Sequence, residues 1–102
     1  MRMFKGTTPT HTFDIPMDTS LIKEVKITYS QKDEEKLVKR TPQCSFGEGT
    51  ISTRLSQEDT FRFTSNTFVT IQIRILTTGG DALICEPIIA SVGKCLDDEV
   101  LV

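Results

Sequence analysis

The side chains best suited to chemistry in this sequence are one histidine and three cysteines. His11 is the only histidine, and the thiols belong to Cys44, Cys85 and Cys95. A zinc site normally takes four clustered ligands, whereas this chain has no C-x-x-C motif and no histidine close to a cysteine in sequence. We therefore predict no metal site and no cofactor, and we interpret the thiols as reduced and structural.

Motifs of catalysis are missing as well. A Ser-His-Asp site would have to use His11, but no nucleophile elbow of the form G-x-S-x-G occurs. Gly79-Gly80 is not followed by Lys-Ser or Lys-Thr, so it is not a phosphate-binding loop. Acidic residues cluster in charged turns such as residues 32–35, where water keeps them ionised. We predict no catalytic residues and a protein that is not an enzyme.

Length and charge narrow the class of protein. The chain has 102 residues, of which 37% are hydrophobic, and a net charge of -2. Nucleic-acid-binding domains usually carry a surplus of basic residues, so we expect no nucleic-acid partner. The N-terminal residues lack the apolar core of a signal peptide, and no stretch reaches the roughly 20 apolar residues of a membrane span. We expect synthesis and folding in the cytoplasm, without membrane contact.

Residues 67–92 carry the clearest structural pattern. Apolar side chains alternate with polar ones from Val69 to Ile75, which is the period of a strand with one buried face. Turn-forming residues, Thr77 to Asp81, lead to a second apolar run that contains Pro87. The pattern predicts an antiparallel hairpin whose second strand bends near Glu86-Pro87.

Shorter alternating segments flank this hairpin. We predict strands within residues 10–15, 21–31, 36–40 and 50–55, and one helical turn from Ser56 to about Phe61, where Ser56 and Asp59 form a weak capping box. The fold class is therefore all-β: a single antiparallel β-sandwich of the immunoglobulin-like kind, with about seven strands, filling residues 1–102 as one domain. A small open barrel is the alternative that the sequence leaves open.

Three segments of the chain carry weaker signals. We expect residues 1–8 to be a mobile lead-in and residues 44–46 to be irregular. Residues 97–102 either lie on the body of the domain or extend from it.

Exposed strand edges need a partner or protection. We expect Pro9 and Pro87 to protect edges, together with outward-facing basic residues on one short strand, namely Lys36, Lys39 and Arg40. The apolar chain ends are unprotected and could pair copies of the chain in a homo-oligomer. The predicted partner-binding residues are Phe4, Pro9, Val100 and Leu101.

Three stretches of the sequence resemble a known group of proteins. Lys5-Gly6-Thr7-Thr8-Pro9-Thr10 is similar to an R-G-T-T-P-T opening, Leu55-Ser56-Gln57-Glu58-Asp59-Thr60 to an L-T-Q-E-[DE]-T segment, and Leu96-Asp97-Asp98-Glu99-Val100-Leu101 to a closing L-x-D-E-V-L. Together they resemble small prophage-encoded β-sandwich proteins of low-GC Gram-positive bacteria, found with tail and baseplate components. The motifs mark turns and a helix cap, so the resemblance carries over no catalytic residue.

The resemblance implies a structural or assembly role through contacts with other phage tail or baseplate proteins, and hence a place in the virion. A carbohydrate-binding β-sandwich for host attachment is the alternative function. Such modules usually expose aromatic side chains for stacking on sugars, whereas this chain has no Trp and a single Tyr, Tyr29.

Overall fold

The computed structural model describes residues 1–102 and contains nine β-strands, one α-helix and two 3-10 turns. The 3-10 turns span Thr19–Leu21 and Thr41–Gln43, and the helix α1 spans Gln57–Phe61. The strands are β1 (Arg2–Phe4), β2 (Thr10–Asp14), β3 (Ile22–Gln31), β4 (Glu34–Arg40), β5 (Cys44–Gly47), β6 (Thr50–Arg54), β7 (Phe68–Thr77), β8 (Ala82–Ile84) and β9 (Ile88–Gly93).

These strands form two sheets of unequal width. The large sheet has the strand order β1-β9-β7-β3-β4, with β8 also paired to β7, and the small sheet has the order β2-β6-β5. No strand belongs to both sheets, so the layers do not close into a barrel. The predicted all-β sandwich with one short helical turn is confirmed.

The core lies between the inner faces of the two sheets. The antiparallel pair β3 and β7 forms its floor, with Ile27 opposite Ile73 and Tyr29 opposite Ile71. Because successive strand residues face opposite sides, the alternating apolar positions all reach one interior. Sixteen buried hydrophobic residues form a single cluster, to which β2 contributes Phe13 and β6 contributes Ile51.

The hairpin after residue 67 forms as predicted. Both β8 and β9 pair antiparallel with β7, along the edge of β7 that does not face β3. Ile84 lies opposite Arg74 and Ile88 lies opposite Ile71. Between these two pairs the second strand therefore has one residue more than β7. That extra residue is a bulge at the segment containing Pro87, which is where the sequence predicts a bend.

Two predicted irregular segments are strands instead. The lead-in was expected to be mobile, but β1 pairs parallel with β9, with Met3 opposite Val92, and this makes the large sheet mixed rather than purely antiparallel. Met3 is 3% exposed and belongs to the core. The segment from Cys44 was expected to be irregular, but it forms β5, paired with β6.

The helix α1 begins with the predicted capping box. The Ser56 side chain accepts a hydrogen bond from the Asp59 N–H at 3.0 Å, and the Asp59 carboxylate accepts one from the Ser56 N–H at 2.9 Å. Two helix-start N–H groups therefore have partners. The helix also holds the N-terminal segment, because the Thr60 hydroxyl accepts a hydrogen bond from the Gly6 N–H at 2.9 Å.

The C-terminal tail lies on the body next to this helix. The Gln57 side chain donates to the Leu101 carbonyl and accepts from the Leu101 N–H, both at 2.8 Å. The backbone of the tail is therefore fixed, while the Leu101 side chain remains exposed.

Burial of Met3 makes the first strand a structural element with a measurable energy. We expect Met3→Ala to lower the free energy of unfolding by about 2–5 kcal/mol, the usual cost of truncating a core methionine. Urea unfolding measures the change, with Leu96→Ala as the control because Leu96 is 95% exposed. Equal stability of Met3→Ala and the wild type would show that β1 does not pack into the core.

Candidate functional site: a cleft between the sheets

The inner face of the large sheet is not fully covered by the small sheet. Side chains directly opposite each other in antiparallel strands share one face of the sheet. Leu83 lies opposite the buried Ile75, and Ile88 lies opposite the buried Ile71, so both belong to the inner face. Leu83 is nevertheless 45% exposed and Ile88 is partly exposed. The small sheet therefore ends before it reaches β8 and the start of β9.

An apolar cleft of about 560 Å³ opens at this flank. We call it the flank cleft. Its walls are the end of β2 with the three residues that follow it on one side, and β7 with residues 83–88 on the other. Nine of the twelve residues along it are hydrophobic: Phe13, Asp14, Ile15, Pro16, Met17, Ile73, Ile75, Leu83, Ile84, Cys85, Glu86 and Ile88.

The two charged residues of the flank cleft are both acidic. Asp14 and Glu86 are exposed and take part in neither of the two ion pairs of the domain, which are Lys36–Glu34 and Lys39–Asp59. The cleft therefore combines an apolar floor with a negatively charged rim.

One wall of the cleft is an unpaired strand edge. β2 pairs only with β6. The Ile15 N–H donates to Gly49 and the Pro9 carbonyl accepts from Leu55, so the odd-numbered residues of this segment direct their backbone groups at β6. In an antiparallel ladder the intervening residues direct theirs away from the partner. The backbone N–H and C=O groups of Thr10, Thr12 and Asp14 thus face outward along the free edge.

The four predicted partner-binding residues lie elsewhere. Phe4 is 47% exposed on β1, with its ring packed over Gly93 and 4.9 Å from the Arg2 guanidinium. Pro9 precedes β2, and Val100 and Leu101 lie next to α1. The structure does not bring these residues together, and none of them lines the flank cleft. Their role in partner binding remains a prediction.

Pro9 does not protect the free edge of β2. Since the odd-numbered backbone groups here face β6, the missing N–H of Pro9 ends the ladder between β2 and β6. The edge on the other side of β2 keeps its donors.

The flank cleft left one signal in the sequence. Residues 82–85 form an unbroken apolar run, Ala82-Leu83-Ile84-Cys85, in place of the alternation seen in β7. A strand that is apolar on both faces has more to bury than a one-sided sheet can cover. The partial exposure of both Leu83 and Ile84 is the structural counterpart of that run.

The prediction that Lys39 faces outward is wrong. Lys39 follows the buried Leu37 by two positions on β4, so it lies on the same inner face. Its ammonium group is 2.8 Å from the Asp59 carboxylate, and both side chains are largely buried. Burial alone would raise the pKa of Asp59, but the hydrogen bond and charge of Lys39 and the bonds to Ser56 outweigh it and lower that pKa.

His11 is a buried core residue. Its Nδ1 lies 2.7 Å from the Tyr29 hydroxyl, and its Nε2 has no hydrogen-bond partner. Burial lowers the pKa of His11 and raises that of Tyr29. A neutral imidazole with one hydrogen-bonded nitrogen fits a structural role.

The thiols and acidic groups form no metal-binding set. Cys44, Cys85 and Cys95 are free, and burial raises the pKa of Cys44 and of Cys85. No group of three or more His, Cys, Asp or Glu side chains is arranged so that it could hold a metal ion. The fold also contains no helix with the length and apolar character needed to cross a membrane.

No family model, curated protein or solved structure matches this chain.

Removing the lysine of the buried pair Lys39–Asp59 should lower the free energy of unfolding far more than removing the lysine of the exposed pair Lys36–Glu34. We expect Lys39→Met to destabilise the fold by about 3 kcal/mol, because it leaves the Asp59 carboxylate buried without its cation. Lys36→Met is the matched control, with an expected loss below about 1 kcal/mol for an exposed pair. The double variant Lys39→Met with Asp59→Asn should recover much of the loss. Equal losses for the two single variants, measured by urea unfolding, would contradict a buried pair.

The buried imidazole should make stability depend on pH. Because the folded state lowers the pKa of His11, the unfolded chain binds the proton first as pH falls. Above about pH 6.5, the ordinary histidine pKa, His11 therefore does not lower the free energy of unfolding. Below that pH the free energy of unfolding declines by at most about 1.4 kcal/mol per pH unit. Urea unfolding at several pH values tests this. His11 is the only histidine, so His11→Gln should flatten the slope, and an unchanged slope would assign it to other groups.

Proposed function

We propose that this domain is a structural or assembly component of a phage tail or baseplate, and that it acts by binding another protein. The observation that carries the proposal is the flank cleft, an apolar surface beside an unpaired strand edge. Exposure of such an apolar surface to water is unfavourable. A partner that covers it therefore forms a complex that is stabilised in proportion to the apolar area buried.

The chemistry of the cleft favours binding over catalysis. Its ionisable groups are Asp14 and Glu86, which are exposed, and Cys85, whose pKa is raised by burial. A thiol with a raised pKa is a poor nucleophile, because the thiolate is the reactive form. The cleft therefore supplies contact area and backbone hydrogen bonds, which are the means by which proteins bind proteins.

The phage setting comes from the resemblance of the three sequence stretches. In the fold these stretches are structural: residues 5–10 lead into β2, residues 55–60 contain the capping box of α1, and residues 96–101 end at Leu101, whose backbone forms two hydrogen bonds with the Gln57 side chain. They meet around one helix, because Gly6 and Leu101 both bond to residues of α1. The resemblance thus covers one continuous region of the fold, which supports a common architecture.

The lack of Trp and the burial of the single tyrosine argue against the carbohydrate-binding alternative. The single tyrosine, Tyr29, is completely buried and bonded to His11, so it does not present a ring to a sugar. The exposed large aromatic side chains are phenylalanines: Phe4, Phe46 and Phe68.

Peptide mass spectrometry on particles purified after prophage induction in the source strain tests the proposed function. We expect peptides of this chain in a fixed ratio to known tail proteins, and crosslinks from the chain to one of them. A chain that is found in the lysate, is missing from particles at every assembly stage, and crosslinks to no tail protein would contradict the proposal.

A further inference from the structure

We propose that the flank cleft and the free edge of β2 bind one extended segment of a partner protein, which adds to the small sheet as a fourth strand. This inference rests on the proposed function, because it names how that function's partner is held. It specifies the partner segment by its chemistry: alternating apolar side chains, with Lys or Arg close to them.

The backbone of β2 is ready for such an addition. Thr10, Thr12 and Asp14 direct N–H and C=O groups away from β6, and no segment of the chain pairs with that edge. A strand beside β2 would form hydrogen bonds with these groups over the five residues of β2, about 17 Å. Main-chain bonds of this kind give affinity in strand addition, and pockets for alternate side chains give specificity.

The side chains of the added strand would complete the core. A strand placed next to β2 lies over residues 83–88, whose inner-face side chains the small sheet leaves partly exposed. Every second side chain of the added strand would point at Leu83, Cys85 and Ile88. The contact would remove these side chains from water, which is the main favourable term in association.

The negative charge of the cleft's rim indicates which kind of segment can bind as the added strand. Asp14 and Glu86 have no cationic partner within the domain. The chain's own C-terminal tail carries three acidic residues next to its apolar end, so like charges would oppose its binding in a second copy. The basic and apolar β1 is already used, because Met3 is buried in the core of its own domain. A different protein with a basic and apolar segment fits the site best.

Selection from a display library of random peptides about nine residues long, somewhat longer than β2, tests the inference. The wild-type domain is the bait, and Leu83→Lys is the counter-selection bait. Leu83 is 45% exposed, so the lysine can be accommodated while placing a charge in the cleft. We expect enriched peptides with apolar residues at alternate positions and at least one Lys or Arg.

Two pairs of variants separate the cleft from the edge. For an enriched peptide, Leu83→Lys should weaken binding by about tenfold or more, while Leu96→Lys, with the same change far from the cleft, should not. Thr12→Pro should weaken binding similarly, because it removes an N–H from the free edge. The pairing of β2 with β6 should survive, because the odd-numbered residues keep their bonds to β6. Thr12→Ala is its control, since it removes the Thr12–Ser52 side-chain hydrogen bond and keeps the backbone N–H.

Three results would overturn the inference: no enrichment, enriched peptides that bind Leu83→Lys as well as wild type, or enrichment without basic residues. A wild-type domain that forms dimers in sedimentation experiments, and loses them in Leu83→Lys, would assign the cleft to a second copy instead. The proposed function fails separately. Peptide binding by a chain that is missing from particles at every assembly stage and crosslinks to no tail protein would remove the phage role alone. Presence in particles without peptide binding would remove the strand addition alone.

Discussion

The small sheet is narrower than the large sheet on which it packs, and this mismatch determines the surface of the domain. Three strands cover the middle of the inner face, and Leu55 and Phe63, on either side of α1, are buried in the same core. At the opposite flank Leu83 is 45% exposed and Ile88 is only partly buried. A sandwich is stabilised by burial of both inner faces. The uncovered flank is the part of the inner face whose apolar side chains remain in contact with water. The same mismatch leaves one edge of β2 unpaired.

The interior is fixed by two polar contacts as well as by apolar packing. Lys39 of β4 reaches Asp59 of α1, and Asp59 also receives the N–H of Ser56, so one carboxylate joins the large sheet to the start of the helix. His11 of β2 meets Tyr29 of β3, which joins the two layers. Buried charges and hydrogen-bonded pairs are costly to leave without partners, so they disfavour alternative packings of the two sheets. Of the two contacts, His11–Tyr29 holds β2, and with it the free edge, in place above the large sheet.

The sequence predicts the elements whose side chains alternate over many residues. The period of β7 and β3 is long enough to be unambiguous, and the bend at Pro87 and the cap at Ser56 follow from local backbone chemistry. It does not predict β1, because three residues carry almost no period and the pairing partner β9 lies near the other end of the chain. The predicted outward position of Lys39 is wrong, although the spacing of Lys39 from Leu37 places both side chains on the inner face. A buried lysine needs a carboxylate, and Asp59 is distant in sequence.

Apart from the apolar run of residues 82–85, no sequence pattern indicates the flank cleft. Its residues come from β2, β7 and the β8–β9 segment, and their meeting depends on how far one sheet extends past the other. The sequence predicts Phe4, Pro9, Val100 and Leu101 as binding residues because chain ends and prolines mark strand edges locally. An edge that is free because its sheet has only three strands has no such local mark.

Amide hydrogen exchange along β2, measured by NMR for the free domain and for the domain bound to a selected peptide, tests the central claim most directly. In the free domain we predict fast exchange at Thr10, Thr12 and Asp14 and slow exchange at His11 and Phe13, because only the odd-numbered amides face β6. The bound domain should protect the even-numbered amides as well. Slow exchange at all five positions in the free domain, or no added protection on binding, would contradict a free edge that receives a partner strand.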